Sequence, residues 1–230
     1  GIVWMRNKNM ASSEKERRAR AQKIVAHLRR AYPTPATELR YSTPFQLAAA
    51  VMLSAQCTDK VVNRVTEPLW KKYKTVADFA QAKPAVFMKE ISSVPFFRNK
   101  AKAIIGAAQM IQEEFKGKVP KTEAELVRLP GIAYKTAHVV LGELYSIYEG
   151  IPTDTHVKRF AHRFDLTYHT DLKKISKALE ELVPKKNWKY VNNGLVLYGR
   201  YVCPARPHDC AGHPLTKMWL PSGKRWPKAN

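Results

Sequence analysis

The residues best placed to do chemistry in this chain are Lys135 and Asp154. Lys135 follows an apolar residue and a turn, Leu129-Pro130-Gly131, and lies at the start of a predicted helix. A helix N-terminus directs unpaired backbone N–H groups at an anion, so the turn predicts a phosphate contact. The positive end of the helix also favours a neutral amine, which is the nucleophilic form of lysine. The pattern predicts a covalent reaction beside a phosphate, with Asp154 as the accompanying carboxylate.

The charge of the chain indicates a polyanionic partner. Its 230 residues include 40 Lys and Arg against 19 Asp and Glu, which gives a formal net charge of +21 and an isoelectric point near 10.0. Basic residues run through the whole chain instead of forming a tail, and this distribution favours nucleic acid over an anionic membrane. The longest apolar stretch, residues 45–55, is shorter than the roughly 20 residues of a membrane span.

The cysteines and the N-terminal residues bear on location. Three cysteines do not make a disulfide framework, so we expect a reducing compartment. The first residues lack the basic, apolar and small-residue order of a secretion signal. We therefore expect the cytoplasm, at the bacterial nucleoid, or in another kind of cell wherever its DNA lies.

Apolar spacing predicts an all-α fold with almost no strands. A basic amphipathic helix comes first, a helix that is apolar nearly all round follows Thr43-Pro44, and the residues after 201 are expected to be irregular. The predicted helices cover residues 12–30, 45–56, 59–73, 75–80, 84–91, 99–115, 122–129, 133–145, 154–164, 172–182 and 188–201.

Several segments in order resemble the helix-hairpin-helix DNA glycosylases, and most closely their endonuclease III branch. The hairpin from Leu129 to Val140 with the downstream Asp154-Thr155-His156 carries the resemblance, supported by Leu53-Ser54-Ala55-Gln56 and Tyr198-Gly199-Arg200-Tyr201. The family fold implies two helical subdomains with a cleft between them. One would be a barrel of residues 37–149 that holds the hairpin, and the other would combine residues 1–36 with 150–230. Lys135 and Asp154 would then act only when the two are docked.

The resemblance implies a base-excision-repair enzyme that removes oxidised pyrimidines from double-stranded DNA and cleaves abasic sites. In that scheme the amine of Lys135 attacks C1′ of an extruded nucleotide, the base leaves, and a Schiff base allows β-elimination. The carboxylate of Asp154 offsets positive charge on the sugar and helps to move protons. The chemistry needs no external metal or nucleotide, and the protein is expected to be a monomer without a membrane partner.

The resemblance also implies DNA contacts outside the catalytic pair. Gln56 would fill the gap left by the extruded nucleotide, and Phe96 would wedge beside the orphaned base, where an apolar side chain replaces lost stacking. The hairpin differs from the family pattern because Ala133 stands where a second glycine is usual, which would cost about 1 kcal/mol if that position needs a positive φ. The remaining hairpin contacts to DNA are expected from Gly131, Ile132, Ala133 and Thr136.

The C-terminal region departs further from the family, whose members close it with four cysteines that hold an iron–sulfur cluster. This chain keeps Cys203 and Cys210 but has His213 and Trp219 at the other two positions. Because tryptophan does not ligate iron, we predict no cluster, no metal and no cofactor. A zinc site made of Cys203, Cys210, His208 and His213 is an alternative whose spacing does not match common zinc patterns.

Two other functions stay open at the level of the sequence. In a monofunctional or mismatch-specific glycosylase, water attacks C1′ and Lys135 acts only through its charge. In a non-catalytic helix-hairpin-helix DNA-binding protein, Lys135 is a phosphate contact and Asp154 is only a helix N-cap. The pairing of lysine with aspartate argues for catalysis, because a protein that only binds DNA has no need of it.

Overall fold

A computed structural model describes residues 12–226, and every regular element among them is helical. The fold class therefore agrees with the all-α prediction. No helix of the described part is long and apolar enough to cross a membrane. The α-helices, in chain order, are α1 Glu14–Ala31, α2 Pro44–Leu53, α3 Asp59–Lys72, α4 Val76–Ala80, α5 Pro84–Glu90, α6 Phe97–Glu114, α7 Glu123–Leu126, α8 Tyr134–Tyr145, α9 Thr155–Arg163, α10 Leu172–Leu182, α11 Val191–Tyr201 and α12 Pro214–Met218.

Side-chain caps fix where most of these helices begin. Thr43 caps α2 because its hydroxyl oxygen accepts a hydrogen bond from the backbone N–H of Gln46, and Oε1 of Gln46 in turn accepts one from the backbone N–H of Thr43. Such a reciprocal box satisfies two backbone donors at a helix start. The same box opens α1 and α4, and single threonine or aspartate caps open α3, α7, α9 and α10.

The chain divides into two compact units. The first, here called the terminal unit, combines the chain up to Pro35 with the chain from Thr153 onward, and the second, the middle unit, is Ala36–Pro152. The terminal unit thus contains α1 and α9–α12, and the middle unit contains α2–α8.

The middle unit is built around an apolar core. Nine of the ten residues of α2 are buried, so this helix is the centre of the unit. Phe79 of α4 is fully buried and meets Phe45 edge-on with ring centroids 4.8 Å apart, and it also contacts Tyr73 and Phe87. Burial of aromatic and aliphatic side chains of this size is the main stabilising contribution to a helical fold.

The terminal unit buries charged side chains as well as apolar ones. α1 directs Ile24, Val25 and Leu28 into its core, as its narrow apolar stripe predicts. α9, however, buries Arg163 completely and leaves Arg159 only 9% exposed. A buried guanidinium is costly unless its donors are satisfied, so the surroundings of these arginines bear on how this unit is held together.

The predicted boundaries differ from the structure in several places. α2 ends at Leu53 instead of residue 56, and Gln56 beyond it has a left-handed backbone with φ 54°. The helix expected at 188–201 is a 3-10 turn, Lys185–Tyr190, followed by α11. The region after 201 contains α12 and a 3-10 turn, Leu220–Lys224, where irregular chain was expected. The N-terminal residues used to judge a secretion signal lie outside the described residues.

Candidate active site

The hairpin turn between α7 and α8 is shaped around one glycine. Leu129 and Ile132 are buried in the core of the middle unit, while Gly131 between them is exposed and has φ +74°. A Cβ at Gly131 would lie 2.7 Å from Cε of Met52 and 2.8 Å from Cβ of Ala103. Both the backbone conformation and the lack of space therefore require glycine here.

Ala133, by contrast, has an ordinary backbone conformation. Its φ of −96° and ψ of −179° are extended, so alanine carries no strain at the position where the family has a second glycine. Ala133 is the N-cap of α8 and its side chain gives no capping hydrogen bond. The N-terminus of α8 thus has no side-chain cap and can receive an anion, as the sequence predicts.

Lys135 lies in the first turn of α8, as predicted. Its side chain is half-buried and makes no hydrogen bond or ion pair within the described part of the chain. The following residue, Thr136, is half-buried on the same turn. The helix itself is tied to α7 by His138, which is 2% exposed and places Nε2 2.7 Å from Oε2 of Glu123. The amine of Lys135 therefore has no bonding partner in the described chain, and it lies on a helix that the contact between His138 and Glu123 fixes in place.

Asp154 is the N-cap of α9 in the terminal unit. Its Oδ1 accepts a hydrogen bond of 3.0 Å from the backbone N–H of Val157, and the residue is half-buried. The structural and the catalytic interpretations of Asp154 are compatible, because capping uses one oxygen and fixes the direction of the carboxylate. His156 in the first turn of α9 lies with Nδ1 3.3 Å from Nη2 of Arg159, which agrees with its predicted structural role.

Gln56 and Phe96 both lie where a helix meets a turn, and both are exposed. Phe96 is 62% exposed and has φ 57°, and Gln56 has φ 54°. A left-handed backbone is uncommon for residues other than glycine and costs about 1–2 kcal/mol. The neighbouring Phe97 packs against the core of the middle unit, so only Phe96 of the aromatic pair faces outward.

Lys100 is a residue of this region to which the sequence pattern assigned no role. It lies in α6, is 9% exposed, and its Nζ donates to the carbonyl oxygens of Leu53 at 2.9 Å and Ala55 at 2.6 Å. Burial lowers the pKa of Lys100. The lysine joins the segment before Gln56 to the helix that Phe96 precedes. Its position on the apolar face of α6, beside Ala101 and Ile104, is the signal that could have revealed it.

Three possible metal ligands meet in the C-terminal part of the terminal unit. Sγ of Cys203, Sγ of Cys210 and a ring nitrogen of His213 all lie within 4.8 Å of one another, and both cysteines are buried. The prediction that this region holds no metal and that the protein has no cofactor is therefore wrong. The spacing argument failed because a turn at residues 211–213, closed by a hydrogen bond of 2.9 Å from the backbone N–H of His213 to the carbonyl of Cys210, brings His213 to the two sulfurs, which a list of sequence separations does not show.

A buried arginine holds both of these sulfurs. Arg163 donates from Nη1 to Sγ of Cys203 at 2.7 Å, from Nη2 to Sγ of Cys210 at 2.6 Å, and from Nε to the carbonyl of Ser222 at 3.0 Å. One face of the guanidinium is covered by Trp226, whose ring centroid lies 4.0 Å from Cζ of Arg163. Burial raises the pKa of the Cys203 thiol, an effect that the hydrogen bond from Arg163 opposes.

Comparison with known proteins places this arrangement in a family. Residues 49–185 match the model of the HhH-GPD superfamily base excision DNA repair proteins. The chain is 43% identical to endonuclease III of Synechocystis over 84% of this chain and 89% of that protein, 40% identical to that of Bacillus subtilis over the same shares, and 34% identical to that of Escherichia coli K12 over 84% and 91%.

Solved structures give the same assignment. A trapped covalent intermediate of endonuclease III with DNA superimposes with a TM-score of 0.83 at 32% identity, covering 90% of this chain and 97% of that chain. A non-covalent endonuclease III–DNA complex gives the same values, and a thermostable thymine-DNA glycosylase with 19% identity shares the fold. The predicted fold and the predicted base-excision-repair glycosylase and lyase class are confirmed. The chain belongs to the endonuclease III branch of the HhH-GPD superfamily of base excision DNA repair proteins.

Proposed function

We propose that this protein removes oxidised pyrimidines from double-stranded DNA and cleaves the resulting abasic site, with Lys135 as the nucleophile. The observation that supports Lys135 most directly is its amine, which has no partner within the described chain and lies on the first turn of α8. A lysine amine without a bonding partner can attack carbon once it has lost its proton.

The hairpin supplies the hold on the DNA strand. Gly131 exposes its backbone without a Cβ, and the uncapped N–H groups of α8 follow it within three residues. A phosphate bound there by Gly131, Ile132, Ala133 and Thr136 would keep the sugar of the damaged nucleotide next to Lys135. Basic residues elsewhere on the chain strengthen the attraction of the duplex, since the formal net charge is +21.

In the first reaction, Nζ of Lys135 forms a bond to C1′ while the glycosidic bond breaks and the base leaves with its electron pair, to be protonated. Nζ loses a proton and the sugar ring opens, which leaves an iminium between Lys135 and C1′. A proton then leaves C2′ and the C3′–O bond breaks, so the strand is cut by β-elimination. The carboxylate of Asp154 stabilises the positive charge that develops on the sugar.

The damaged nucleotide must leave the stack before C1′ is reached. Gln56 and Phe96 have exposed side chains on turns of the middle unit, which suits residues that enter the duplex from outside. An inserted aromatic ring replaces stacking lost by the orphaned base, and an amide can hydrogen-bond to base edges. We infer that the protein acts as a monomer on DNA that carries damaged bases or abasic sites.

Borohydride trapping tests the proposal. The protein is incubated with duplexes that carry an oxidised pyrimidine, uracil, a mismatch or an abasic site, and borohydride reduces any iminium to a stable protein–DNA adduct. We expect an adduct with the oxidised pyrimidine and the abasic site, and its loss in Lys135→Ala. Lys71→Ala, which changes an exposed lysine of α3, is the matched control.

The other outcomes distinguish the alternatives. Base release without any adduct would assign a monofunctional glycosylase, and an adduct that survives in Lys135→Ala would assign another amine. Salt-sensitive DNA binding with no base release from any lesion would make the protein a binding module. Asp154→Asn keeps a side chain that can cap α9, so a loss of activity with an unchanged unfolding temperature would isolate the role of its charge.

A further inference from the structure

We propose that Cys203, Cys210, His213 and His208 bind a single metal ion that prefers thiolate and imidazole ligands, with Zn²⁺ as the best fit. The four residues lie within one short stretch of the terminal unit, between α11 and α12. The proposal does not depend on the catalytic role of Lys135, since no step of that reaction passes through a metal.

The spacing of the first three ligand atoms suits one ion. Zinc bonds to sulfur at about 2.3 Å and to imidazole nitrogen at about 2.0 Å, so tetrahedral ligand atoms lie roughly 3.3–3.8 Å from one another. The atoms of Cys203, Cys210 and His213 lie within 4.8 Å of one another before any ion draws them together. An iron–sulfur cluster instead places iron and sulfide between its ligand sulfurs and separates them more widely.

His213 has an unsatisfied nitrogen in this place. Its Nδ1 is buried and has no hydrogen-bond partner in the part of the chain that the structure describes. A buried polar atom without a partner is uncommon and costs stability, and it calls for a group that the polypeptide does not supply. A metal ion bound to the imidazole satisfies that need with a ring that already lies beside two sulfurs.

His208 is oriented as a metal ligand would be. Its Nδ1 lies 2.7 Å from the carbonyl oxygen of Arg206, which only accepts, so Nδ1 carries the proton. Nε2 then presents its lone pair, and it lies 3.6 Å from Sγ of Cys203. A ligating histidine commonly donates its other ring N–H to a backbone carbonyl in this way, which fixes both the tautomer and the ring orientation.

Arg163 supplies an outer shell around the two sulfurs. Its two terminal nitrogens donate to Sγ of Cys203 and Sγ of Cys210, and the guanidinium is fully buried. Hydrogen bonds from an outer group to the ligand atoms orient those atoms toward a bound ion.

Elemental analysis with cobalt substitution tests the site. We expect the full chain, purified without chelator, to contain about one zinc ion per molecule. After removal of the zinc, added Co²⁺ is expected to give the thiolate-to-cobalt charge-transfer bands and the visible bands of a tetrahedral site. A chelator should lower the unfolding temperature, because binding to the folded state alone stabilises it.

Variants separate ligands from bystanders. Cys210→Ser and His213→Ala are expected to reduce bound metal to background and to remove the cobalt bands. Cys57→Ser, which changes the one cysteine outside the proposed site, should retain the bound metal and the cobalt bands. If Cys210→Ser does not fold, His208→Ala gives a second measurement at a more exposed ligand, with weaker zinc binding and altered cobalt bands expected.

Two results overturn the proposal. One is a chain that takes up neither Zn²⁺ nor Co²⁺ when either ion is added alone to the folded protein. The other is protein that contains several irons per chain with matching acid-labile sulfide, since that composition identifies a cluster in place of a single ion.

Discussion

The hairpin turn of the middle unit and the C-terminal segment of the terminal unit, residues 203–226, are held in different ways. The hairpin is fixed by close apolar packing, with Leu129 and Ile132 buried on either side of a glycine that has no room for a Cβ. The C-terminal segment is fixed by polar bonds from one buried arginine to two sulfurs and a carbonyl. The first depends on shape and the second on charge.

This difference bears on which substitutions each region tolerates. A packed turn is sensitive to the volume of a side chain and tolerates changes where space is open, as at Ala133. A buried polar hub is sensitive to the loss of any one partner, because each bond that is broken leaves a group without water or protein to satisfy it. Substitutions at the centre of each region should therefore give effects of different origin.

The largest expected effect comes from Arg163→Met. Methionine fills much of the volume but leaves the carbonyl of Ser222 and both sulfurs without a donor, so the free energy of unfolding should fall by about 3–4 kcal/mol. Urea denaturation measures the change. Arg206→Met, which alters an exposed arginine nearby, is the control and should change stability by less than about 0.5 kcal/mol. A loss below about 1 kcal/mol at Arg163 would show that packing, not charge, holds this segment.

Gly131→Ala tests the hairpin in the same assay. The new Cβ would lie under 3.0 Å from atoms of Met52 and Ala103, and alanine would have to adopt a left-handed backbone. The free energy of unfolding should therefore fall by about 2–4 kcal/mol. Ala133→Gly is the matched change in the same turn and should cost only about 0.5–1 kcal/mol through chain entropy. Equal effects at the two positions would contradict the role given to shape.

Lys100→Met removes a buried contact made by a charged side chain of the middle unit. The carbonyls of Leu53 and Ala55 lose their shared donor, so we expect a loss of about 1–3 kcal/mol in stability. Because the segment before Gln56 is then less well placed, base release from a damaged duplex should slow more than cleavage of a preformed abasic site. Equal slowing of both reactions would argue against a positioning role, and Lys100→Arg should restore part of the difference.

The smallest expected effect is a pH dependence from His27 of α1. Burial lowers its pKa below the usual 6.5, and Arg30 adds to the shift. The unfolded chain therefore binds a proton more readily, and stability is lost as the pH falls through and below 6.5. His27→Gln should flatten this part of the profile between pH 7.5 and 5.5 by a fraction of a kcal/mol. A steeper profile in the variant would contradict the assignment.

Local features of this molecule could be predicted from the sequence. The caps at Thr43 and Asp154 and the first turn that carries Lys135 depend on residues three or four apart, and the structure has each of them. The exposure of Phe96 also follows from local chain, since Phe97 takes the buried side of the pair.

Contacts between distant residues could not be predicted in this way. Arg163 bonds to sulfurs 40 and 47 positions later, and Lys100 bonds to carbonyls 45 and 47 positions earlier. No sequence pattern predicts the burial of an arginine or a lysine, because both residue types are usually exposed. The metal ligands were misjudged for a related reason, since His213 reaches the sulfurs through the turn at residues 211–213, which its hydrogen bond to the carbonyl of Cys210 closes.

Selection would act differently on Asp154 and Lys135 in a related protein that no longer repaired DNA. Asp154 caps α9 and would still be favoured for folding, so an aspartate, serine or threonine would persist there. Lys135 makes no bond to the described chain, and almost any helix-forming residue could replace it without loss of stability. Retention of the lysine therefore indicates continued selection for catalysis, whereas the aspartate would be retained for folding even without it.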